Sequence, residues 1–455
     1  MNSINVIYLL LLFLCGFIGF VVIGVISLKP KLFWTTLIFA VILGTGPMIK
    51  GYGLIDEYLV GCIIVGFLLS LSIRPVCQVY ASQKTRFSKI HFEIFFLFMC
   101  YLTLQSIRGL IVLDDLRMIR FIIFFMMLGI LSYILFKGFF PVPPPSQIIN
   151  LVLLGSLIYF MLYLGYGIYT ESIRGINRFD VQGDEWTGSS VAMFPLFCVV
   201  PAVYFMLVKK SEQFRKNTWI AWIVIIVGAA TSFYYDSRIS WIVITGFLVF
   251  SIRDLGLYKS LKIFIIFAVF LFTLLLGQPK HNFNFTARIS GFYKALFISG
   301  TGLQESDIDR KLAILASLRL ITDNPKTLLF GTGFYTERYK LVPYYEEVLS
   351  EYGIRTNVSS AIHSIVRTST FPSFIAGTGL IGIFFLFLCF YLTACEIIMN
   401  TRAHGIKGRK IVLFTLLIVF MSIFVSINLD LILFYLCIMP SGLLVQMSRY
   451  ETSIV

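Results

Sequence analysis

The sequence predicts an all-α, polytopic integral membrane protein with about 12–13 transmembrane helices and one large external loop. Of its 455 residues, 58% are hydrophobic and only 13% are charged, and the mean hydropathy is +0.89. A typical soluble domain carries about 25% charged residues. Apolar runs of about twenty residues, enough to cross the hydrocarbon core of a bilayer as a helix, recur from one end of the chain to the other.

The predicted membrane helices follow these apolar runs. The first run follows Met1–Asn5, which contains no Lys or Arg, and it is long enough to span. We therefore expect a membrane helix there rather than a cleaved signal peptide. The second, ninth and last runs are short or interrupted, which leaves the count at about 12 or 13. The predicted spans are 5–27, 33–49, 55–73, 91–112, 118–139, 147–168, 189–208, 218–235, 238–252, 261–277, 373–397, 411–427 and 430–447.

The distribution of basic residues predicts the orientation of the chain. Lys and Arg are concentrated in alternate short loops, a bias that is typical of the cytoplasmic side. The C-terminus then lies inside, and the N-terminus lies outside with thirteen helices or inside with twelve. No basic stretch is interleaved with stacking aromatics, so the net charge of +14 does not indicate nucleic-acid binding. The basic loops contain Lys29 and Lys31; Arg74, Lys84, Arg86 and Lys89; Lys137; Lys209, Lys210, Arg215 and Lys216; Arg253, Lys259 and Lys262; and Arg402, Lys407, Arg409 and Lys410.

The opposite face carries the long loop, residues 278–372, together with a shorter segment from about 170 to 189. Within the loop, Arg310–Thr322 has apolar residues at helical spacing, and Asp323–Pro325 ends that predicted helix. Long loops are uncommon unless they are functional. We therefore interpret the chain as a single membrane domain, 1–455, with a functional external insertion.

Arginine residues on the external side are the first candidate site residues. Arg238 follows Asp236 and Ser237 between two apolar runs, and an Arg near membrane depth usually faces a cavity, pairs or binds an anion. Arg174 and Arg178 lie in a Gly- and Asn-containing segment that suits a phosphate. Structural alternatives remain for both sites. Arg238 can snorkel to headgroups or pair with Asp236, and the second segment can be an ordinary solvated loop.

A second candidate is His363, which is followed by Ser364 and Arg367 just before a predicted membrane helix. It is one of only four His in the chain and lies on the side of the long loop. A His there can act as a general base near neutral pH. A lone His is more often a structural residue, and that alternative stays open.

The segment Phe330–Phe334 contains Gly-Thr-Gly but lacks the preceding strand and following Lys-Ser/Thr of a nucleotide loop. It predicts a turn behind the loop helix. The chain has no Walker A loop, no HExxH, no GxSxG and no DxD-like metal pair in an external loop. We therefore expect no metal site and no cofactor.

Three segments, taken in chain order, resemble motifs of one family. Thr231–Arg238 is similar to a Ser-Arg that opens a membrane helix. Arg310–Pro325, followed by Gly331–Gly333, is similar to an external-loop helix that ends in D-x-P and a G-x-G. His363-Ser364 before Gly379–Gly382 is similar to a His-Asn/Ser followed by a G-x-x-G helix start. Together they resemble the O-antigen ligase and Wzy-type polymerase superfamily of bacterial polysaccharide enzymes.

The resemblance covers roughly residues 174–382. It departs from the family pattern between His363 and Gly379, where the usual gap is about ten residues and this chain has more. An inserted segment around 367–374 accounts for the difference.

The resemblance implies a GT-C-type membrane glycosyltransferase in the bacterial inner membrane, with its active site facing the periplasm or exterior. The donor would be a glycan on undecaprenyl pyrophosphate. His363 would accept the proton of the acceptor hydroxyl, and Arg238 would hold and stabilise the departing diphosphate without a metal. Glu337, Glu346 and Glu347 are the next candidates for the base. Further arginines expected to bind pyrophosphate or glycan are Arg174, Arg178, Arg288, Arg310 and Arg367.

The leading functional hypothesis is a polymerase that joins lipid-linked repeat units into a surface polysaccharide such as O-antigen or capsule. The first alternative is the ligase that transfers finished polymer to lipid A–core, which shares the same motifs. An alternative of another class is a flippase for the same lipid-linked units, although no transporter-like repeat is visible in the sequence. Expected partners are the lipid-linked glycan and the bilayer, with a chain-length regulator protein as a further candidate and no nucleic acid.

Overall fold

The computed structural model describes residues 35, 86–113, 118–137, 145–174, 218–234, 261, 265, 305–334, 336–351, 370–403, 409–424 and 429–438. Every regular element with defined bounds in these residues is a helix, and none of them is a strand. The ten helices are α1 (Arg86–Leu113), α2 (Met118–Lys137), α3 (Pro145–Arg174), α4 (Thr218–Tyr234), α5 (Glu305–Thr322), α6 (Pro325–Phe330), α7 (Glu337–Glu351), α8 (Thr370–Ala403), α9 (Arg409–Ser422) and α10 (Leu429–Ile438).

Seven of these helices, α1–α4 and α8–α10, overlap apolar runs that the sequence marks as membrane helices. Several helix ends differ from the predicted bounds. α1 begins at Arg86, before the predicted start at 91, and α8 ends at Ala403, past the predicted end at 397. α3 continues to Arg174, past the predicted end at 168, and α8 begins at Thr370, inside the predicted loop. The predicted spans at 5–27, 33–49, 55–73, 189–208, 238–252 and 261–277 lie outside the described residues, apart from the isolated positions 35, 261 and 265.

Two of the described helices contain segments that are long and apolar enough to cross a membrane. These are Lys89–Leu113 in α1, with 25 residues, and Phe371–Met399 in α8, with 29 residues. α2, α3 and α4 contain shorter apolar stretches, and length and composition alone are also met by the core helices of soluble proteins. The helical part of the fold prediction is confirmed for the described residues, and the number of spans stays a prediction.

α1 and α8 pack against each other in antiparallel orientation. His91, near the start of α1, contacts Glu396, near the end of α8. Tyr101, further along α1, contacts Thr378, near the start of α8. Between these contacts, Phe98 of α1 stacks on Phe385 of α8, with ring centroids 5.8 Å apart. This antiparallel arrangement agrees with the predicted topology, in which the two segments cross the bilayer in opposite directions.

The described part of the long loop forms a compact helical unit, α5–α7, that is seated on α8. The helix predicted at Arg310–Thr322 is present within α5, and it ends before Asp323 as predicted. Asn324 then caps α6, because its side-chain oxygen accepts a hydrogen bond from the Lys326 N–H at 2.9 Å and Pro325 occupies the first helical position. The helices α6 and α7 were not predicted. The buried residues shared by α5, α7 and α8 are Leu312, Ala313, Ala316, Leu320, Leu341, Tyr345, Val348, Leu349 and Ala376.

Candidate functional site

The predicted site residues fall mostly outside the part of the chain that the structure describes. Arg174 is the last residue of α3, and Arg310 lies in the first half of α5, but the side chains of these two are not described. The residues outside the described ranges are Arg178, Arg238, Arg288, His363 and Arg367. Their assignment as a catalytic and anion-binding set therefore stays a prediction.

The structure does describe how the loop unit meets the membrane helices, and this junction centres on a break in α8. Gly379 has φ 65° and ψ −165° inside an otherwise helical segment. Such a residue interrupts the i to i+4 hydrogen-bond ladder, so the carbonyls just before it lose their helical donors. The carbonyls belong to Ala376, Gly377 and Thr378, which are buried, so water has little access to replace the lost donors.

Backbone and side-chain donors from two other elements satisfy these carbonyls. The Thr332 N–H donates to the Ala376 carbonyl at 2.8 Å, and the Gly333 N–H donates to the Gly377 carbonyl at 3.0 Å. The Tyr101 hydroxyl of α1 donates to the Thr378 carbonyl. The turn behind α6 thus adds hydrogen bonds to the open helix end, much as a neighbouring helical turn would.

The turn depends on glycine for two separate reasons. Gly331 and Gly333 have φ of 69° and 103°, in the left-handed region that side chains rarely adopt. Gly331 and Gly379 also lie against each other. A Cβ on Gly331 would lie 2.5 Å from the Thr378 nitrogen, and a Cβ on Gly379 would lie 2.5 Å from the Gly331 nitrogen. Neither backbone has room for a methyl group, since both neighbours are main-chain atoms.

Helix α1 closes the junction from the other side. The Phe334 N–H donates to the Gln105 carbonyl at 3.1 Å, and Nη1 of Arg108 donates to the Gly331 carbonyl at 3.0 Å. The Phe334 ring packs between Phe121 and Phe125 of α2, at 5.5 Å from each centroid. The turn predicted at Phe330–Phe334 is therefore confirmed, and it is held between α1, α2 and α8.

Polar side chains inside the junction are nearly all satisfied. Thr332, Thr336 and Thr378 are buried. The Thr336 hydroxyl lies 2.7 Å from the Gly333 carbonyl oxygen, and the Thr378 hydroxyl donates to the Phe374 carbonyl at 2.7 Å. Gln105 is the exception among the described junction residues, since its side-chain oxygen is buried without a hydrogen-bond partner.

Charged residues on the surface join α5 to α7. Arg319 makes a two-pronged contact with Glu351, with Nη1–Oε1 at 3.0 Å and Nη2–Oε2 at 2.6 Å, and this contact lowers the pKa of Glu351. The Tyr344 hydroxyl donates to the Asp323 carboxylate at 2.9 Å, which raises the pKa of Tyr344. Glu347, one of the alternative bases, lies 3.6 Å from Arg319.

A different contact joins α1 and α8 at the far end from the junction. His91 Nδ1 lies 2.7 Å from Glu396 Oε2, and both side chains are buried. The Thr393 hydroxyl lies 3.4 Å from the other ring nitrogen of His91. His91 is the first residue of a predicted membrane helix, and no role was predicted for it. This buried pair was therefore not predicted from the sequence.

Three residues of the junction were also missed, although a signal for them exists in the sequence. Tyr101, Gln105 and Arg108 follow at spacings of four and three residues, which places them on one face of α1. Three hydrogen-bonding side chains on one face of an apolar helix indicate a polar partner. Within the described residues, no group of three or more His, Cys, Asp and Glu could hold a metal ion.

No protein-family model matches the chain, and no curated protein matches it at a significant level. The family resemblance therefore remains a hypothesis that rests on the motifs quoted above.

Proposed function

We propose that this chain is a membrane glycosyltransferase that polymerises oligosaccharide repeat units carried on undecaprenyl pyrophosphate. The observation that carries the proposal is the seating of the helical unit α5–α7 on the interrupted helix α8 through the Gly331–Gly333 turn. A folded extramembranous unit that is fixed to a membrane helix by main-chain hydrogen bonds suits an enzyme, which must hold reacting groups in place. The motif resemblance supplies the type of reaction.

The proposed membrane setting is supported by the surfaces of α1 and α8. Large apolar side chains on these helices are exposed, with Leu104 at 63%, Ile111 at 76% and Phe384 at 62%. Contiguous exposed apolar surface is uncommon on soluble proteins, whereas a helix that faces lipid has an apolar surface. We propose a polytopic protein of the inner membrane with α5–α7 on the periplasmic or external side.

In the proposed reaction, a hydroxyl oxygen of the acceptor glycan attacks the anomeric carbon of the donor sugar. The bond from that carbon to the pyrophosphate oxygen breaks, and the lipid diphosphate leaves with the bonding electron pair. His363 accepts the hydroxyl proton, and Arg238 stabilises the diphosphate as its charge develops. The remaining arginines, Arg174, Arg178, Arg288, Arg310 and Arg367, are proposed to bind the donor.

The break in α8 bears on the rival transporter hypothesis, because interrupted helices are also typical of transporters. In transporters the open helix ends face a substrate or coupling ion. Here the carbonyls of Ala376, Gly377 and Thr378 accept hydrogen bonds from Thr332, Gly333 and Tyr101. Because groups of the protein itself already donate to these carbonyls, the break suits a fixed support for the loop unit better than a transport site. We therefore prefer the enzyme.

The proposal can be tested with the purified protein in lipid nanodiscs supplied with lipid-linked repeat units and neither ATP nor an ion gradient. A polymerase produces a ladder of longer lipid-linked glycans. The ligase alternative predicts a product only after lipid A–core is added, and a flippase produces no new glycosidic bond. Either result in place of the ladder would overturn the proposal.

The residue assignments are tested in the same assay. General base catalysis contributes about 10²–10⁴-fold, so His363→Ala is expected to lose nearly all polymer and to leave single repeat units. Arg238→Lys keeps the charge but loses the planar fork, and it is expected to fall well below wild type. His404→Ala is the matched control, because His404 lies in a predicted cytoplasmic loop. Wild-type chain lengths from His363→Ala would remove that residue from the mechanism.

A further inference from the structure

The contact between Gly331 and Gly379 links two elements that are 48 positions apart in the sequence. The break in α8 and the docking of the turn depend on each other. If the turn left, the carbonyls of Ala376 and Gly377 would lose the donors that they gain from Thr332 and Gly333.

Losing those donors is unfavourable in an apolar helix, because each unsatisfied carbonyl in hydrocarbon is costly. Conversely, a straight α8 would satisfy its own carbonyls and leave the N–H groups of Thr332 and Gly333 without these acceptors. The described geometry is therefore self-consistent only with the unit docked. This argues against a loop that swings freely on its connections.

Helix α1 contributes side chains that stabilise the docked state from a second direction. Arg108 donates to the Gly331 carbonyl at 3.0 Å, and its aliphatic part lies near Gly333, with Cγ 3.4 Å from the position of a Cβ there. The turn is thereby fixed relative to α1 as well as α8. Two helices that hold one turn define both its position and its orientation.

We propose that Gly331, Gly379 and Arg108 are positioning residues, and that the docked arrangement of α5–α7 on α8 is the state in which glycosyl transfer occurs. None of the three needs to touch the substrate. Their role is to hold the loop unit at a fixed place over the membrane helices, so that reacting groups carried by the loop meet those carried by the helices. This inference rests on the proposed function.

The first test is Gly331→Ala in the nanodisc assay, with Gly165→Ala as the matched control. A Cβ at Gly165 meets nothing within 4 Å, whereas one at Gly331 meets backbone. A positioning role predicts at least a tenfold fall in kcat for Gly331→Ala, with a much smaller change in KM for the lipid-linked donor. The control is expected to match wild type. Unchanged kcat in Gly331→Ala would overturn the inference.

Docking itself is measured by cross-linking Leu329→Cys to Leu380→Cys in a background without native Cys. Both positions are partly exposed, and they flank the contact, since a Cβ on Gly379 would lie 2.6 Å from the Leu329 carbonyl oxygen. A short cleavable bismaleimide is expected to join them in high yield. Adding Gly331→Ala should lower that yield several-fold, which separates undocking from a general loss of folded protein.

The cross-linked protein supplies the decisive result. If the docked state is the reactive one, the cross-linked protein retains most of its polymerising activity. Loss of activity on cross-linking, with recovery when the linker is cleaved, would show that the contact must open during turnover and would overturn the inference alone. A wild-type protein that docks but makes no polymer would overturn the proposed function, and this inference with it.

If Gly331→Ala fails to insert in the membrane, Arg108→Gln replaces it. This variant keeps the Cβ–Cγ–Cδ stem of the side chain and removes the guanidinium that donates to the Gly331 carbonyl. It is expected to lower both the cross-linking yield and kcat by a few-fold. Wild-type values of both for Arg108→Gln would remove Arg108 from the positioning set.

Discussion

The two ends of the α1–α8 pair are held together in different ways. At one end, main-chain groups of the Gly331–Gly333 turn bond to main-chain groups exposed by the break at Gly379. At the other end, one pair of side chains, His91 and Glu396, makes the contact. His91 and Arg108 are seventeen residues apart in one helix, roughly 25 Å. The first end depends on a close main-chain approach that Gly331 and Gly379 permit, with Arg108 and Tyr101 as additional side-chain donors. The second end depends on two ionisable side chains.

This difference teaches which substitutions each end tolerates. The turn end should not accept a Cβ at Gly331 or Gly379, because main-chain atoms occupy that space. The His91–Glu396 end is sensitive to single substitutions, since loss of Glu396 leaves Nδ1 of His91 buried without the partner that it has there.

The largest expected effect is on the labelling of two positions by a reagent that cannot cross the membrane, and it is all or none. If the two ends of the α1–α8 pair lie on opposite sides, Ser306→Cys in α5 reacts with an impermeant thiol reagent added to intact spheroplasts. Lys89→Cys, close to His91, reacts only after the membrane is opened. Both variants are made in a background without native Cys. Labelling of Ser306→Cys only after opening would refute the topology and the proposed mechanism together.

The next largest effect is expected at the buried pair. Glu396→Leu leaves His91 buried without this partner, and an unsatisfied buried polar group costs about 1–3 kcal/mol, more where the group is charged. The double variant with His91→Leu should recover most of that loss, because two apolar groups can replace such a pair. The measurement is thermal unfolding in detergent.

The control for this comparison is Glu93→Gln, which removes an exposed contact to Lys89 at 3.6 Å. Exposed pairs of this kind contribute about 0.3–0.5 kcal/mol, so the control should stay close to wild type. A double variant that is less stable than Glu396→Leu alone would show that His91 has another role at this end.

The comparison of the two ends also shows what the sequence could predict. The apolar runs gave the helices α1–α4 and α8–α10, because their length and composition depend only on local residues. The helix within α5 and its end at Asp323–Pro325 were predicted for the same reason, since periodicity and a Pro signal are local. The Gly331–Gly333 turn was predicted as a turn, but its partner was not.

The missed features are contacts between distant segments. Gly379 reads as a helix start in the family motif, and the structure shows a break inside a longer helix. Packing between residues far apart in the chain decides which carbonyls the break frees. It also decides that Thr332 and Gly333 supply the donors. The pairing of His91 with Glu396, 305 positions later, has no local signal either. The helix α6 has only six residues and α7 contains Pro343, so neither is strongly favoured by its local sequence.

A smaller effect is expected for Tyr101→Phe at the turn end. The ring is kept, so its packing on Phe385 at 5.9 Å is retained, and only the hydroxyl that donates to the Thr378 carbonyl is lost. The net contribution of one such hydrogen bond is about 1 kcal/mol. The unfolding temperature should therefore fall by less for Tyr101→Phe than for Glu396→Leu. A larger fall in the unfolding temperature for Tyr101→Phe than for Glu396→Leu would show that the turn end is the more sensitive of the two.

The smallest effect concerns the Arg319–Glu351 contact on the surface of the loop unit. The hydrogen bond from Arg319 lowers the pKa of Glu351 below the usual range of a glutamate carboxyl. A carboxyl group whose pKa is lowered in the folded state contributes stability above its unfolded pKa, and the contribution disappears as pH falls through the lowered folded value. Glu351→Gln should therefore be slightly less stable than wild type at pH 7, and the difference should shrink below about pH 4.5. Thermal unfolding of both proteins across that range measures it, with Glu346→Gln as the control on the same helix. A difference that grows as the pH falls would contradict the assignment, because it would mean that protonated Glu351 is the form that the folded loop prefers.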